Sequence, residues 1–486
     1  MNNQLCSIAI LLAALGASAP LHAAEQIELP EIGDSAGAII SPEQEHRLGE
    51  EYMRQIRRQA PIVTDDEVED YIQSLGASLA KYTNYELGFH FFMMQSSVIN
   101  AFALPGGYVA VHSGLMLETQ NESELASVIG HEISHVTQRH GARMIEEATH
   151  MSAPMIASMV AGLALMAVNP QAGMGALMAG QAAAQQMQIN FTRANEKEAD
   201  ALGIQLMNEA HYDTHMMASF FERMQRASRY TDPAYIPEYL RTHPITINRI
   251  AEARNRAAQI KQSKVRGDSL KYHLIKAKLR VMGEPEPMQS VRYFKEALAR
   301  HDDNEPVEAL RYGYALALNE AGDFQKARNE LAKLMAAQPD NIAFRIAAGQ
   351  IDQHATLFAA ALPNFAKAYE LEPESRAAVY GYVNALLLVG RAQDAKDLLG
   401  SYGLSDRRDP KYYKLLADAQ NQLGDKPEAH HSLAEYYYSV GEFPYAAEQL
   451  RIARESPGLS NYQRQKIVAR LEEVEDTIQR LMDDRH

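Results

Sequence analysis

His131-Glu132-Ile133-Ser134-His135 constrains this chain more than any other stretch. Two imidazoles four residues apart can meet at one point on an α-helix, where positions i and i+4 share a face. The run from Glu122 to His131 reads as one amphipathic helix, so both rings can be turned onto a single metal ion. Glu132 lies one step round, where its carboxylate can serve a water as general base. This is the H-E-x-x-H logic of a zinc peptidase. Five residues with three set positions also arise by chance, so the rest of the chain must support the pattern.

A catalytic zinc has three protein ligands and an open fourth position. The third ligand is expected from a later element with helical spacing of its own. Glu196 and Asp200, in the run Thr192–Gly203, are four apart and share a face. Glu196 is assigned as that ligand, and Asp200 as an outer acceptor that orients a ligand histidine. Glu198 competes for the ligand role, but it points away from the face of Asp200 and is expected to be solvated. The rival pattern H-E-x-x-H-x-x-G-x-x-H fails, because position 138 is Gln and position 141 is Gly. His140 is five residues beyond His135. An unbroken helix rotates it off the metal face, as a solvated cap histidine beside Gly141.

These residues resemble the metallopeptidase family of HtpX and the CaaX prenyl protease, which combines H-E-x-x-H with a downstream E-x-x-x-D. The resemblance extends to Asn100-Ala-Phe-Ala-Leu-Pro-Gly-Gly107, Val128-Ile-Gly-His131 and His243-Pro-Ile-Thr-Ile-Asn-Arg249. It covers roughly residues 41 to 255, and the secreted, repeat-bearing members of the family resemble the whole chain. It implies an α+β zincin-like (gluzincin) metallopeptidase domain with one Zn2+ per chain on His131, His135 and Glu196. It also makes His243 and Arg249 candidates to stabilise an oxyanion. A second role implied for His243 is fourth ligand, closing the open position until a partner moves its loop. A plain turn histidine before Pro244 is the bland alternative.

The first two dozen residues read as a secretory signal: an apolar run Ile8–Leu15, then small residues up to Ala23-Ala24. No Lys or Arg precedes the run, which is atypical. Cys6 is the only cysteine, so the mature chain would form no disulfide and offer no thiolate to a metal. A net charge of −15, offset by no basic cluster, argues against a nucleic-acid partner. The expected compartment is the periplasm, with the chain soluble or peripherally associated with membrane.

Ser41-Pro42-Glu43-Gln44 and Thr64-Asp65-Asp66-Glu67 read as capping-box starts, predicting helices over about 42–58 and 65–82. Phe89–Met94 and Tyr108–Val111 read as strands. The second, just before the metal helix, suits a substrate that adds as an extra strand on an exposed edge; a core hairpin fits the same residues. Residues 148–192 contain no Asp, Glu, Lys or Arg. That stretch can be a buried helical hairpin, a Met-rich surface for apolar segments or lipid, or a membrane span.

Beyond about residue 271 the chain repeats. Ala327, Ala361, Ala395 and Ala429 are each 34 apart, and Leu331, Phe365, Leu399 and Leu433 keep that interval. Gly322, Gly390 and Gly424 fall in phase, as do Pro339 and Pro373, with Gly349 as a small residue in a first helix. This is the tetratricopeptide pattern of paired helices. About four repeats are visible, with a degenerate one before Glu305. Gly441 follows Gly424 by only 17, an apparent slip in phase, and a helix over about 461–483 reads as a terminal cap. The expected organisation is a signal at 1–24, a metallopeptidase domain at 25–256, a linker at 257–271 and an all-α tetratricopeptide-repeat solenoid at 272–486. Such a solenoid binds partners in its groove or serves as a rigid spacer.

The leading expectation is an exported zinc-dependent metalloendopeptidase. The resemblance implies a chaperone-like role in outer-membrane β-barrel assembly and the degradation of misassembled barrels. Its partners would be unfolded or misassembled barrel proteins and, through the repeats, the β-barrel assembly machinery. The alternative is a non-proteolytic chaperone or adaptor with a structural metal site. Glu132 speaks against it, since a structural site has no use for that carboxylate. A third reading, an integral-membrane protease, requires residues 151–185 to span.

Overall fold

The computed structural model describes residues 41–144, 192–229, 237–300, 305–402 and 409–483. The expected signal and, except for Thr192, the uncharged stretch at 148–192 lie outside these residues. Among the described residues, no helix is long and apolar enough to cross a membrane.

Helix α1 (Pro42–Gln59) begins with the capping box expected at Ser41. Ser41 Oγ accepts from Gln44 N at 3.3 Å, and Gln44 Oε1 accepts from Ser41 N at 2.8 Å. Helix α2 (Asp66–Ala80) starts one residue later than its motif suggested. Asp65, not Thr64, is its cap, accepting from Glu67 N and Val68 N at 3.1 Å each. A carboxylate gains there from the helix dipole as well as from the hydrogen bonds.

Strands β1 (His90–Met94) and β3 (Tyr108–His112) form as read, but the chain inserts β2 (Ala101–Leu104) between them. The sheet order is β1-β3-β2, with β1 parallel and β2 antiparallel to β3. The strand expected to offer an edge to substrate is therefore the central one, paired on both sides. The edge nearest that role belongs to β2, a four-residue strand too short to register by alternation. Both faces of the sheet are covered. Phe91, Met93, Val109 and Val111 join the main core, while Phe92, Met94, Tyr108 and Ala110 pack with Met53 of α1. That double burial explains why Phe91–Met94 is continuously apolar rather than alternating.

After a short helix α3 (Ser113–Glu118) comes α4 (Glu122–Thr137), capped by Asn121 Oδ1 accepting from Glu124 N at 2.9 Å. It is buried on nearly every side rather than amphipathic, Glu122, Ser123 and Glu124 included. Its acids are satisfied internally: Glu122 accepts from Tyr71 Oη at 3.0 Å and from Ser269 Oγ at 2.8 Å. Then follow α5 (residues 192–209), α6 (His215–Arg229), α7 (Glu238–Thr242) and α8 (Ile247–Gln259).

The stretch expected as a linker is pinned to the core of the first unit. Arg266 N donates to His211 O at 2.8 Å, and Asp268 Oδ1 accepts from Glu122 N at 2.9 Å. The helix that follows, Leu270–Met282, belongs to both units. Tyr272, Ile275 and Leu279 pack into the core around the sheet and α4, while Leu274, Ala277 and Val281 pack into the first helix pairs of the solenoid.

Helix pairs continue through Val307–Glu320 and Phe324–Ala337 as far as Phe443–Glu455 and Asn461–Asp483. The in-phase alanines lie where helices cross: Ala327, Ala361 and Ala395 have no solvent exposure. Gly322, Gly390 and Gly424 take φ of 77–78°, turning the chain between the helices of a pair, and Thr356 does the same work at φ 60°. Gly441, at φ 80°, makes the same turn after a second helix instead of a first. The apparent slip in phase is thus a change in which turn carries glycine, and the solenoid continues through it.

The solenoid is docked on α1 and α2. Lys278 Nζ reaches Asp65 Oδ2 at 2.6 Å and also pairs with Glu67. Arg376 meets Asp66 at 3.1 Å, Glu69 at 2.7 Å and Asp409 at 2.9 Å, while Lys411 meets Asp66 at 2.6 Å. Arg57 Nη1 donates to Ser439 O at 3.0 Å. A cavity of about 920 Å3 lies between these contacts.

Three carboxylates thus crowd one guanidinium. Burial pushes the Glu69 carboxyl up to about 7 against the pull of Arg376, with Asp66 and Asp409 adding to the rise. A folded value above the ordinary 4.5 means this group favours the folded state fully below that pH, and loses the contribution as pH rises towards 7. Wild type should therefore lose stability relative to Glu69→Gln across that window, read from denaturant midpoints. Parallel pH profiles for the two proteins would contradict the assignment.

Candidate metal centre

The centre is assembled from α4, α5 and the turn between α7 and α8. Helices α4 and α5 meet glycine on glycine. A Cβ on Gly130 would stand 3.3 Å from Gly203 O, and one on Gly203 would stand 3.1 Å from His131 N. This close approach lets Glu196, two turns before Gly203, reach the imidazoles of α4.

His131 Nε2 lies 3.0 Å from His135 Nε2 and 3.5 Å from Glu196 Oε2. His135 Nε2 is 3.4 Å from Glu196 Oε1. His243, the C-cap of α7, brings Nδ1 to 3.0 Å from Glu196 Oε1 and 3.3 Å from His131 Nε2. One donor atom from each of His131, His135, Glu196 and His243 falls within 4.8 Å of all the others. Glu132 stands beside them, 1% exposed, with Oε1 3.5 Å from His243 Nε2. That oxygen is buried and accepts no hydrogen bond among the described residues. Converging lone pairs of three imidazoles and a carboxylate, with an orphaned carboxylate oxygen alongside, are the donor set a divalent cation fits.

An outer layer holds this set. His131 Nδ1 faces Asp200 Oδ1 at 2.9 Å. Arg249, on the first turn of α8 and 3% exposed, donates from Nε and Nη2 to the two oxygens of Asp200, both at 2.7 Å. Its Nη1 donates to Glu196 Oε2 at 2.7 Å and to Pro244 O at 3.0 Å. These bonds correct the expectation that Arg249 stabilises an oxyanion: its guanidinium is committed to buried carboxylates and to the His243 turn. Phe221 lies under it, 5.0 Å away.

The charges follow from this layer. Burial would raise the Glu196 carboxyl, but hydrogen bonds from His131, His135 and His243 hold it far below the usual range. Asp200 is likewise held low against burial, by the charge of Arg249 and by His131. Burial disfavours a charged His131, yet Asp200 and Glu196 together lift it to about 10. His135 goes the other way, lowered chiefly by burial.

Two residues escaped the reading of the sequence. His140, expected as a solvated cap, is 3% exposed, with Nδ1 2.8 Å from His135 Nδ1. Glu198, expected to be solvated, is half exposed and binds His140 Nε2 at 3.1 Å and Arg143 Nη1 at 3.0 Å. Neither glycine nor proline marks the backbone break that re-aims His140, so spacing carried no signal of it. Tyr239 is fully buried, its ring 5.0 Å from that of His243 and its hydroxyl without a hydrogen bond among the described residues. Its backbone N donates to Ile99 O at 3.1 Å, tying α7 to the approach to β2.

The glycine crossing can be tested. Gly203→Val should cost about 1–3 kcal/mol of stability through overpacking and should weaken metal binding by displacing Glu196. Calorimetric metal titration checks this, and unchanged affinity would show that α5 tolerates a side chain at the crossing.

Residues 64–257 match the family described as Peptidase family M48, and residues 355–419 match a tetratricopeptide repeat. The chain is 36% identical to the β-barrel assembly-enhancing protease of Escherichia coli (strain K12), over 96% of both chains. It is 34% identical to the protein of that name from Yersinia pestis, over 96% of this chain and 97% of the relative. The human mitochondrial metalloendopeptidase OMA1 is 29% identical over 32% of this chain and 30% of its own length. With these matches following on an H-E-x-x-H helix brought against a glutamate helix, the chain belongs to peptidase family M48: it is a metalloendopeptidase whose catalytic domain is followed by tetratricopeptide repeats.

Proposed function

We propose that the chain is an exported zinc endopeptidase of the periplasm that acts on unfolded or misassembled outer-membrane β-barrel proteins and aids the assembly of correct ones. The observation that carries the chemistry is the convergence of His131, His135 and Glu196, with the unsatisfied Glu132 oxygen beside them. The setting is carried by full-length relatives named for β-barrel assembly. The proposed division of the chain is a signal at 1–24, a peptidase domain at 25–256, a short join at 257–271 and repeats at 272–486. The repeats recruit substrate or the assembly machinery.

His131, His135 and Glu196 would hold the ion, which would take the place of the second proton that Asp200 and Glu196 hold on His131; two imidazoles and one carboxylate suit zinc. The chemistry zinc supplies when bound is Lewis acidity towards a carbonyl and a water. Glu132 takes the proton of the attacking water on its free carboxylate oxygen and returns it to the leaving amine. Asp200 holds the proton of His131 on Nδ1 and so leaves the Nε2 lone pair for the ion, while Arg249 keeps Asp200 ionised and bonds Glu196. Substrate adds as a strand along the outer edge of β2, the side of that strand unpaired among the described residues.

His243 in the ligand cluster favours latency over an oxyanion role. With Nδ1 3.0 Å from Glu196 and a ring packed on Tyr239, it would serve as a fourth ligand and close the position that a substrate carbonyl needs. Moving α7 away from Ile99 would open the centre.

Mature wild type and Glu132→Gln should both hold about one zinc, and only wild type should cut an unfolded β-barrel substrate. Turnover by Glu132→Gln would remove Glu132 from the chemistry. His243→Ala should raise cleavage several-fold, because it frees a coordination position; a lower rate would instead favour the oxyanion role.

A further inference from the structure

His140 lies outside the four-residue cluster, and the mechanism above makes no use of it. Helix α4 ends at Thr137, and Arg139 takes φ of 51° before a short helical stretch begins at residue 140. An unbroken helix would carry His140 about 140° round from His135. The left-handed residue swings it back, so the rings meet edge to face at 76° with centroids 4.8 Å apart. Such a backbone is disfavoured at a non-glycine residue, so the surrounding contacts must hold it. The Arg139 side chain is meanwhile anchored on Glu45 at 3.2 Å.

The two Nδ1 atoms are 2.8 Å apart, so a single proton lies between them: one nitrogen donates and the other accepts. His135 can lend its Nε2 lone pair to a cation only as the tautomer with its proton on Nδ1. That N–H donates to His140 Nδ1. The proton of His140 must then sit on Nε2, where it donates to Glu198 Oε2 at 3.1 Å. Glu198 is kept an acceptor by Arg143 at 3.0 Å. The directions agree along the whole chain, from carboxylate to ligand.

We infer that His140 is a positioning residue of the metal centre, which sets the tautomer and ring orientation of His135 through an Nδ1-to-Nδ1 hydrogen bond relayed from Glu198. His131 receives the same service from Asp200, so each histidine of α4 has its own outer partner, one a carboxylate and one an imidazole. The inference rests on the reading of His135 as a metal ligand.

The test is the zinc dissociation constant of the full chain by chelator competition, with unfolding of the metal-free proteins measured alongside. His140→Ala should bind about 10- to 100-fold more weakly, the usual cost of losing such a partner. His140→Asn should bind within about threefold of wild type, because its amide oxygen sits where Nδ1 sat and can accept from His135. His140→Gln carries its oxygen one bond further out and should be as weak as His140→Ala. Metal-free unfolding midpoints should coincide. Wild-type affinity in His140→Ala would overturn the proposal, as would His140→Asn binding no better than His140→Gln if the alanine variant fails to fold. A wild-type chain that binds no zinc would overturn the ligand reading itself, and this inference with it.

Discussion

One buried guanidinium holds the centre together. Arg249 bonds both oxygens of Asp200, one of Glu196 and the carbonyl of Pro244. It thereby joins α8 to α5 and to the turn that presents His243. Two carboxylates this deep would take up protons if left unpaired. Paired, they stay ionised, one to sit against the imidazoles and the other to face His131 Nδ1. The geometry of His131, Glu196 and His243 therefore depends on a residue that is not itself in the cluster.

The same economy of buried charge governs how the repeats meet the peptidase. The first two turns of α2 carry Asp66, Glu67, Glu69 and Asp70, and with the Asp65 cap these face Lys278, Arg376, Lys411 and Ser375 of the solenoid. The last turns of α2 lie in the peptidase core with Leu75 and Leu79. Helix Leu270–Met282 repeats the arrangement from the other side, with one face in each core. The two units are packed as one body through elements that each belong to both. The start of α4 is bonded to this junction through Glu122, so the helix of the metal ligands and the docking of the repeats share hydrogen bonds.

Much of this was legible in the residues. An H-E-x-x-H pair and a Glu-x-x-x-Asp pair each need only local helical geometry, and the 34-residue interval needs only that successive pairs stack alike. The capping box at Ser41 and the strand at His90–Met94 are likewise local. What escaped reading was set by backbone irregularity or by packing. β2 is too short to show alternation, and its insertion changed which strand has a free edge. The resemblance makes Arg249 a candidate for the oxyanion, and only the fold brings Asp200 and Glu196 around its guanidinium. His140 was misplaced because Arg139 leaves the helix without a glycine to mark the break.

The sequence by itself determined the chemistry and the architecture: which side chains can ligate, which carboxylate can act as base, and that a repeat solenoid follows. These are consequences of periodicity and residue type, which act over a few residues. Only the tertiary structure decided how close α4 comes to α5, what Arg249 pairs with, that His243 stands within the ligand cluster and that His140 supports His135. All but the last depend on contacts between segments 47 to 112 residues apart, and His140, five residues from His135, depends on the backbone break at Arg139 and on Glu198, 58 residues away. There, burial makes an unpaired charge or an empty hydrogen bond too costly to leave, and no local pattern records which distant partner will meet it.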